Sequence, residues 1–205
     1  MKLYYFPTPN SRKVCAAAKY LGSKLEYVRV SLPDGEQRKP EFLAINPNGK
    51  VPVLVDGKAS IWESRAIMCY LAEKAGSDFW PRDERAVDVI RWLCWDTAHF
   101  SRYTGTLVFE NVIKPALGIG EPDAAAVKEA LGHFRQFAAV LDGHLAGRKF
   151  IVGEQPSVVD FAVGGFLPDA EAAQIPLAEY PEVVRWYAEL FELPAWRDPY
   201  PAASA

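Results

Sequence analysis

Three short segments carry residue types able to hold and ionise a small polar molecule. Thr8-Pro9-Asn10-Ser11 places two hydroxyls and an amide at a turn that leads into a helical pattern. The partial positive charge of a helix N-terminus stabilises a nearby anion, a thiolate included. Thr8, Asn10 and Ser11 are therefore candidates to hydrogen-bond a ligand's thiolate, which lowers its pKa towards neutrality. An ordinary capped turn is the competing reading. Glu63-Ser64 stands between an apolar strand and a helix. Free amides and a hydroxyl there suit a carboxylate, and the Glu63 side chain suits an ammonium, so the pair fits an amino-acid head. A plain helix cap competes. Val51-Pro52 interrupts an apolar run; proline cannot donate to a ladder and belongs at an edge, a bulge or a cis turn. Val51's main-chain groups are then available to an extended peptide-like ligand, unless this is merely an edge-strand proline.

Other residue types exclude chemistry. Cys15, Cys69 and Cys94 are odd in number and lack C-x-x-C spacing, against a disulfide framework, a zinc site or a dithiol pair. Their apolar neighbours read as small buried hydrophobes. His99, His133 and His144 show no ligand spacing, and no metal is expected. Trp95, His99 and Tyr103 recur every four residues on one helix face, a pattern more common in cores than in pockets.

The elements that must position these residues follow from periodicity. Residues 2–6 read as a strand, and a helix follows from Ser11 to Leu21 with Gly22 at its C′ position. Residues 25–30 alternate as a second strand, and a short helical stretch covers 41–44. Residues 51–55 and 59–61 form a hairpin around Asp56-Gly57, before a helix over 64–74. Beyond Gly76 only helices are expected: from 84 past 103, over 123–144, over 157–166 and over 181–190. Ser157-Val158-Val159-Asp160 has capping-box spacing, so Asp160→Ala is expected to cost about 1 kcal/mol or more. The reading is a small α/β layer on a mixed sheet followed by an all-α unit.

Composition sets the frame. The 205 residues are 50% hydrophobic with a formal net charge of −3, which disfavours a nucleic-acid binder. No apolar run is long enough to span a membrane, and the start Met1–Phe6 lacks signal-peptide character, so a cytoplasmic, non-membrane protein is expected. Residues 1–75 hold 12 basic and 7 acidic residues, whereas the remainder holds 11 and 19. The basic first unit suits a small anion.

Taken in order, Pro7–Ser11, Asn46–Leu54 with its Gly49-Lys50-Val51-Pro52, and Ile61–Ile67 with its Glu63-Ser64 resemble the cytosolic glutathione transferase family. Glu154–Ala162 resembles the capping segment of that family's second domain. The resemblance implies a thioredoxin-like glutathione-binding domain over 1–76 and an all-helical domain over 84–205. It implies that Glu63 and Ser64 hold the γ-glutamyl group and that Val51's backbone, beside a cis Pro52, pairs with the cysteinyl unit. Lys50 reaches the tripeptide, and Gln37 stands where relatives contact the glycyl carboxylate. Thr8 aligns with the serine of theta- and phi-like members, Thr8-Pro9-Asn10 is similar to the nu class, and Ser11 stands where some bacterial classes carry cysteine. Tyr4 and Tyr5 lie near the tyrosine of other classes, although strand burial explains both. The helix bearing Trp95, His99 and Tyr103 is implied to wall a hydrophobic electrophile. The expected function is glutathione transfer in a homodimer, with glutathione as co-substrate. Glutathione-dependent disulfide or peroxide reduction, or a non-catalytic binding module, are the alternatives.

Overall fold

A computed structural model describes residues 1–202. The chain divides into two compact units: Met1–Trp80 together with the segment from Leu193, and Pro81–Glu192.

The first unit is a four-stranded sheet of β1 (Lys2–Tyr5), β2 (Glu26–Arg29), β3 (Val53–Asp56) and β4 (Ala59–Trp62), in the order β2-β1-β3-β4. β1 and β2 run parallel; β3 is antiparallel to both β1 and β4. Helices α1 (Pro9–Tyr20) and α3 (Ser64–Ala75) pack on each other. They bury Val14, Cys15, Ala17, Ala18, Ile67, Met68 and Leu71 completely, as does Leu3 of β1. Alternation along the strands sends Tyr4 to a second cluster with Val30, Phe42 and Val53, where the short α2 (Pro40–Leu43) packs.

Register fixes where the chain leaves this sheet. Tyr4 stands opposite Val53, and Val53 opposite Trp62. β1 and β4 therefore exit, and β3 enters, at one end of the sheet. β2, parallel to β1, exits there too. Both α1 and α3 begin at that end because each directly follows a strand.

Two local expectations change. β3 starts at Val53, not residue 51, because Val51-Pro52 is cis and leaves the ladder. Helix α1 starts at Pro9, not Ser11: Thr8 is the extended N-cap and proline's fixed φ suits the first helical position.

The segment from Leu193 also departs from the expected 84–205 domain, since it packs in the first unit. Its helix α10 (Pro194–Arg197) lies on α1 with Trp196 fully buried. Arg12 donates to the Trp196 carbonyl and sits over its ring at 5.4 Å, Lys19 pairs with Asp198 at 2.7 Å, and Tyr200 stacks on Tyr5 at 6.2 Å. A short, turn-rich tail gives no periodicity from which such docking can be read; residues 203–205 lie outside the described part.

The second unit is helical. The helix expected from 84 past 103 is α4 (Ala86–Trp95), α5 (Ser101–Val108) and α6 (Lys114–Ala116), joined by π-turns at Asp96–Phe100 and Phe109–Ile113. A π-turn widens the hydrogen-bonded loop by one residue. Here it brings Ser101 over Asp96, whose buried carboxylate accepts the Ser101 hydroxyl at 2.7 Å. Helix α7 (Ala124–Leu145) is capped by Asp123, and α8 (Val158–Val163) and α9 (Pro181–Phe191) complete the unit. Phe100, Phe134, Leu141, Phe161 and Trp186 form its fully buried centre.

Asp160 is more than a cap. The capping box with Ser157 is present, but the fully buried carboxylate also accepts from Ile151 N at 2.9 Å and Trp186 Nε1 at 2.9 Å. Burial pushes its carboxyl above the usual range while these donors pull it down.

Candidate active site at the strand ends

Local chemistry at each exit from the sheet decides what a ligand meets. Thr8 is half-buried; its Oγ1 accepts from Ser11 N at 3.3 Å and donates to Ser11 Oγ at 3.2 Å. Ser11 is fully buried beneath it, whereas Asn10 is exposed on the first turn. Of the three candidate thiolate partners, Thr8 and Asn10 face outward and Ser11 supports Thr8 from behind. The Asn10 Oδ1 accepts from Lys13 Nζ at 3.2 Å, and its Nδ2 has no partner among the described residues.

Glu63 has φ +70° and ψ 116°, a backbone conformation that non-glycine residues rarely adopt. Its side chain makes no cap hydrogen bond. Ser64, only 4% exposed, opens α3. Neither the Glu63 carboxylate nor the Ser64 hydroxyl has a hydrogen-bond partner among the described residues. Residues held in such conformations cluster at ligand clamps, where the surrounding fold enforces them.

Between these two helix starts lies the loop 46–52. Buried Asn46 organises it: its Nδ2 donates to the Lys50 carbonyl at 2.7 Å, and its Oδ1 accepts from Asn48 N at 3.0 Å and Asn48 Nδ2 at 2.9 Å. The Lys50 side chain is exposed with no partner among the described residues. Gly49 (φ +60°) runs so close to the 36–38 turn that an added Cβ would sit 3.2 Å from the Gln37 carbonyl oxygen. Gln37 itself is weakly held, with Nε2 3.5 Å from the Leu32 carbonyl and a buried Oε1 that has no partner among the described residues. Val51 precedes the first paired residue of β3, so its backbone lies outside the ladder.

One end of the sheet thus carries two helix N-termini and five side chains with unused hydrogen-bonding capacity: Asn10, Gln37, Lys50, Glu63 and Ser64. Helix N-termini favour anions, Lys50 adds a cation, and Glu63 is the counterpart for an ammonium. Chemically this is a site for a zwitterionic, extended molecule that carries carboxylates at its ends.

Other groups nearby are engaged differently. Tyr4 packs edge-on against Phe42 at 6.3 Å and Tyr5 against Tyr27 at 5.8 Å, which matches strand burial as the reason for both. Burial also pushes the Tyr5 phenol up. Burial pushes the Cys15 thiol up to about 12, so it stays protonated and cannot serve as a nucleophile in the turn.

In the second unit the aromatic stripe packs helices together. Trp95 meets Phe137 at 6.2 Å, His99 stacks on Phe137 at 4.6 Å, and Tyr103 stacks on His133 at 4.4 Å. Trp95 also lines a cavity of about 340 Å³ with Arg91, Trp92, Val140 and His144; His99 and Tyr103 are not among its lining residues. No group of three or more metal-ligating side chains occurs among the described residues.

Two features escaped the sequence reading. Asn46 was visible only as part of a motif, because its role is to hold a loop. Lys13 directly precedes the run Val14–Ala18 and is fully buried; a cation that abuts an apolar stretch is the signal that marks it.

Comparison with known proteins agrees with this geometry. Residues 1–73 match the family model "Glutathione S-transferase, N-terminal domain", and residues 124–189 match "Glutathione S-transferase, C-terminal domain". The chain is 36% identical over 208 residues to glutathione S-transferase 3 of Zea mays, covering 96% of this chain and 91% of that protein. Its fold is similar to glutathione S-transferase I bound with lactoylglutathione, at a TM-score of 0.87 and 28% identity over 97% of both chains. A glutathione transferase family member from Pseudomonas fluorescens, solved with two glutathione molecules bound, gives a TM-score of 0.85 at 29% identity, covering 97% of this chain and 91% of that one. The sheet with its paired helix starts, the cis Val51-Pro52 and the helical second unit therefore have one explanation: the chain belongs to the glutathione transferase family.

Proposed function

We propose that this protein is a glutathione transferase that ionises glutathione at the strand-end site and delivers the thiolate to a hydrophobic electrophile. The observation that carries this is the set of unused polar groups around two helix N-termini. Glu63 takes the ammonium of the γ-glutamyl group, and Ser64 with the first amides of α3 takes its carboxylate. Val51's main chain pairs with the cysteinyl unit as a strand edge would. Lys50 and Gln37 stand on the side of the glycyl carboxylate. That arrangement brings the sulfur to the start of α1, where Asn10 donates a hydrogen bond to it and the Thr8 hydroxyl does so on turning its proton from Ser11 Oγ. Donors to the charged form lower the thiol pKa, the proton leaves to solvent, and the thiolate displaces a leaving group or adds to an activated double bond. The reacting sulfur belongs to glutathione; the protein supplies position and field.

Trp95, His99 and Tyr103 belong to the helix that walls the electrophile in this reading. In this reading the protein works as a homodimer, as the family resemblance implies; the exposed apolar side chains Val87, Ile90 and Val140 are available to a second copy. No disulfide joins Cys15, Cys69 and Cys94 among the described residues, which fits a cytoplasmic setting.

A second reading has its own support. The exposed Asn10 beside Thr8, in a turn without cysteine, suits glutathione-dependent disulfide reduction. There the glutathione thiolate attacks a disulfide sulfur, one thiolate leaves, and a new glutathione disulfide forms. Parallel turnover assays with a chlorinated aromatic and with a glutathionyl disulfide separate the two. Absence of glutathione binding at millimolar concentration sinks both. Bound glutathione whose thiol ionises no more readily than in free solution points instead to a non-catalytic binding module.

A further inference from the structure

Lys13 is the one fully buried lysine among the described residues, and nothing in the mechanism above uses it. Burying an ammonium costs several kcal/mol unless its donors are used. Its Nζ lies 3.2 Å from Asn10 Oδ1, three residues earlier on the same helix turn. Chemistry fixes the sense of this contact. An ammonium only donates, so the Asn10 amide must turn its oxygen to Lys13. Its NH₂ group is thereby aimed away from the protein interior, and it has no partner among the described residues. The other cations of α1 are engaged elsewhere, Arg12 with the Trp196 carbonyl and Lys19 with Asp198. The hydroxyl of Tyr200 donates to the Thr8 carbonyl at 3.4 Å and so leaves the Thr8 side chain alone.

We propose that Lys13 is a positioning residue for the reaction: it locks the Asn10 amide so that its N–H groups, rather than its carbonyl oxygen, meet the glutathione sulfur. The distinction matters because the two ends of an amide have opposite effects. Donors stabilise a thiolate, whereas an oxygen in the same place repels it and raises the thiol pKa. Without Lys13 the amide is free to flip, and a rotating side chain presents its donor only part of the time. This inference rests on the proposed glutathione site and goes beyond it by assigning a role to a side chain the ligand never touches.

The test is the ionisation of bound glutathione, followed by thiolate absorbance against pH in the wild type, Lys13→Met, Asn10→Ala and the double variant. Lys13→Met is expected to raise the bound thiol's pKa by about one unit, lowering turnover near neutral pH several-fold, with the loss recovered at higher pH. KM for glutathione should change little, because the tripeptide's ends are held elsewhere. In the Asn10→Ala background the same Lys13→Met change should have no further effect on that pKa, since its lever is gone. Lys13→Gln, whose amide can donate to the same oxygen, should restore most of the wild-type value; Lys13→Leu, which cannot donate, takes the place of Lys13→Met if that variant does not fold. An unchanged thiol pKa in the variant that lacks the donor, Lys13→Met or Lys13→Leu, or a shift there that persists undiminished in Asn10→Ala, overturns the proposal. An Asn10→Ala protein with an unchanged thiol pKa does the same. If wild-type protein binds no glutathione, the functional reading itself has failed, which the first titration reveals separately.

Discussion

At the scale of single residues, the site is distinguished by groups that the fold leaves unsatisfied. Ser64 is the sharpest case, because its hydroxyl is nearly buried and caps nothing. Ser64→Ala should therefore leave stability within about 0.5 kcal/mol. It should weaken glutathione roughly tenfold or more, the equivalent of a lost hydrogen bond to a charged group. Calorimetric titration beside a melting curve checks both halves, and a matching loss of stability would show that the hydroxyl serves the fold. The cysteines give a second expectation. Cys94 is exposed and Cys15 buried, with a thiol held at about 12, so only a protonated, shielded Cys15 exists near neutral pH. A chromogenic thiol reagent should consume Cys94 rapidly and leave Cys15 intact until the protein unfolds. Rapid labelling of Cys15, located by mass spectrometry, would reopen the question of a protein thiol beside the site. That Thr8, Asn10, Glu63 and Ser64 stand at helix starts was legible in the sequence, because a strand signal followed by a helical period fixes where a helix begins. That Ser11 points inward was not, since three adjacent polar residues on a first turn differ only in direction.

At the scale of elements, the turns between them hold the chemistry. Glu63 joins β4 to α3 with a positive φ, a strain on the order of 1 kcal/mol that the glutamate side chain does nothing structural to offset. Glu63→Gly should hold or slightly raise the melting temperature while glutathione affinity falls, thereby separating binding from folding. A fall in both would place Glu63 in the framework. Asp160 is the opposite kind of residue, because its carboxylate satisfies donors from Ile151, Ser157 and Trp186 at once. Its replacement by alanine strands those donors, and the cost rises from the about 1 kcal/mol of a lost cap to about 3 kcal/mol or more. Chemical denaturation measures it directly; a value near 1 would mean that water replaces the carboxylate. The capping box was readable from spacing alone, but Ile151 and Trp186 are brought to it only by tertiary packing. The π-turns were hidden for a related reason. One extra residue per turn shifts helical phase without disturbing composition, so the run from 86 to 116 read as a shorter regular helix.

At the scale of the whole molecule, the division into a basic sheet unit and an acidic helical unit was visible as charge and periodicity. The path of the last segment was not. Leu193 onward returns to α1, where Trp196 is fully buried against it. Trp196→Ala should destabilise the first unit by about 3 to 5 kcal/mol, read as a lowered unfolding midpoint. A midpoint unchanged within error would mean that α10 is dispensable. The returning segment has a further consequence, for the order of synthesis. The sheet unit is made before the helical unit, yet the helix that covers α1 is made only after it. A nascent chain therefore carries a sheet unit with one bare apolar flank until the segment from Leu193 has been made. A stop codon just before Leu193 should then yield chains selected for degradation, although every residue of the candidate site has already been made.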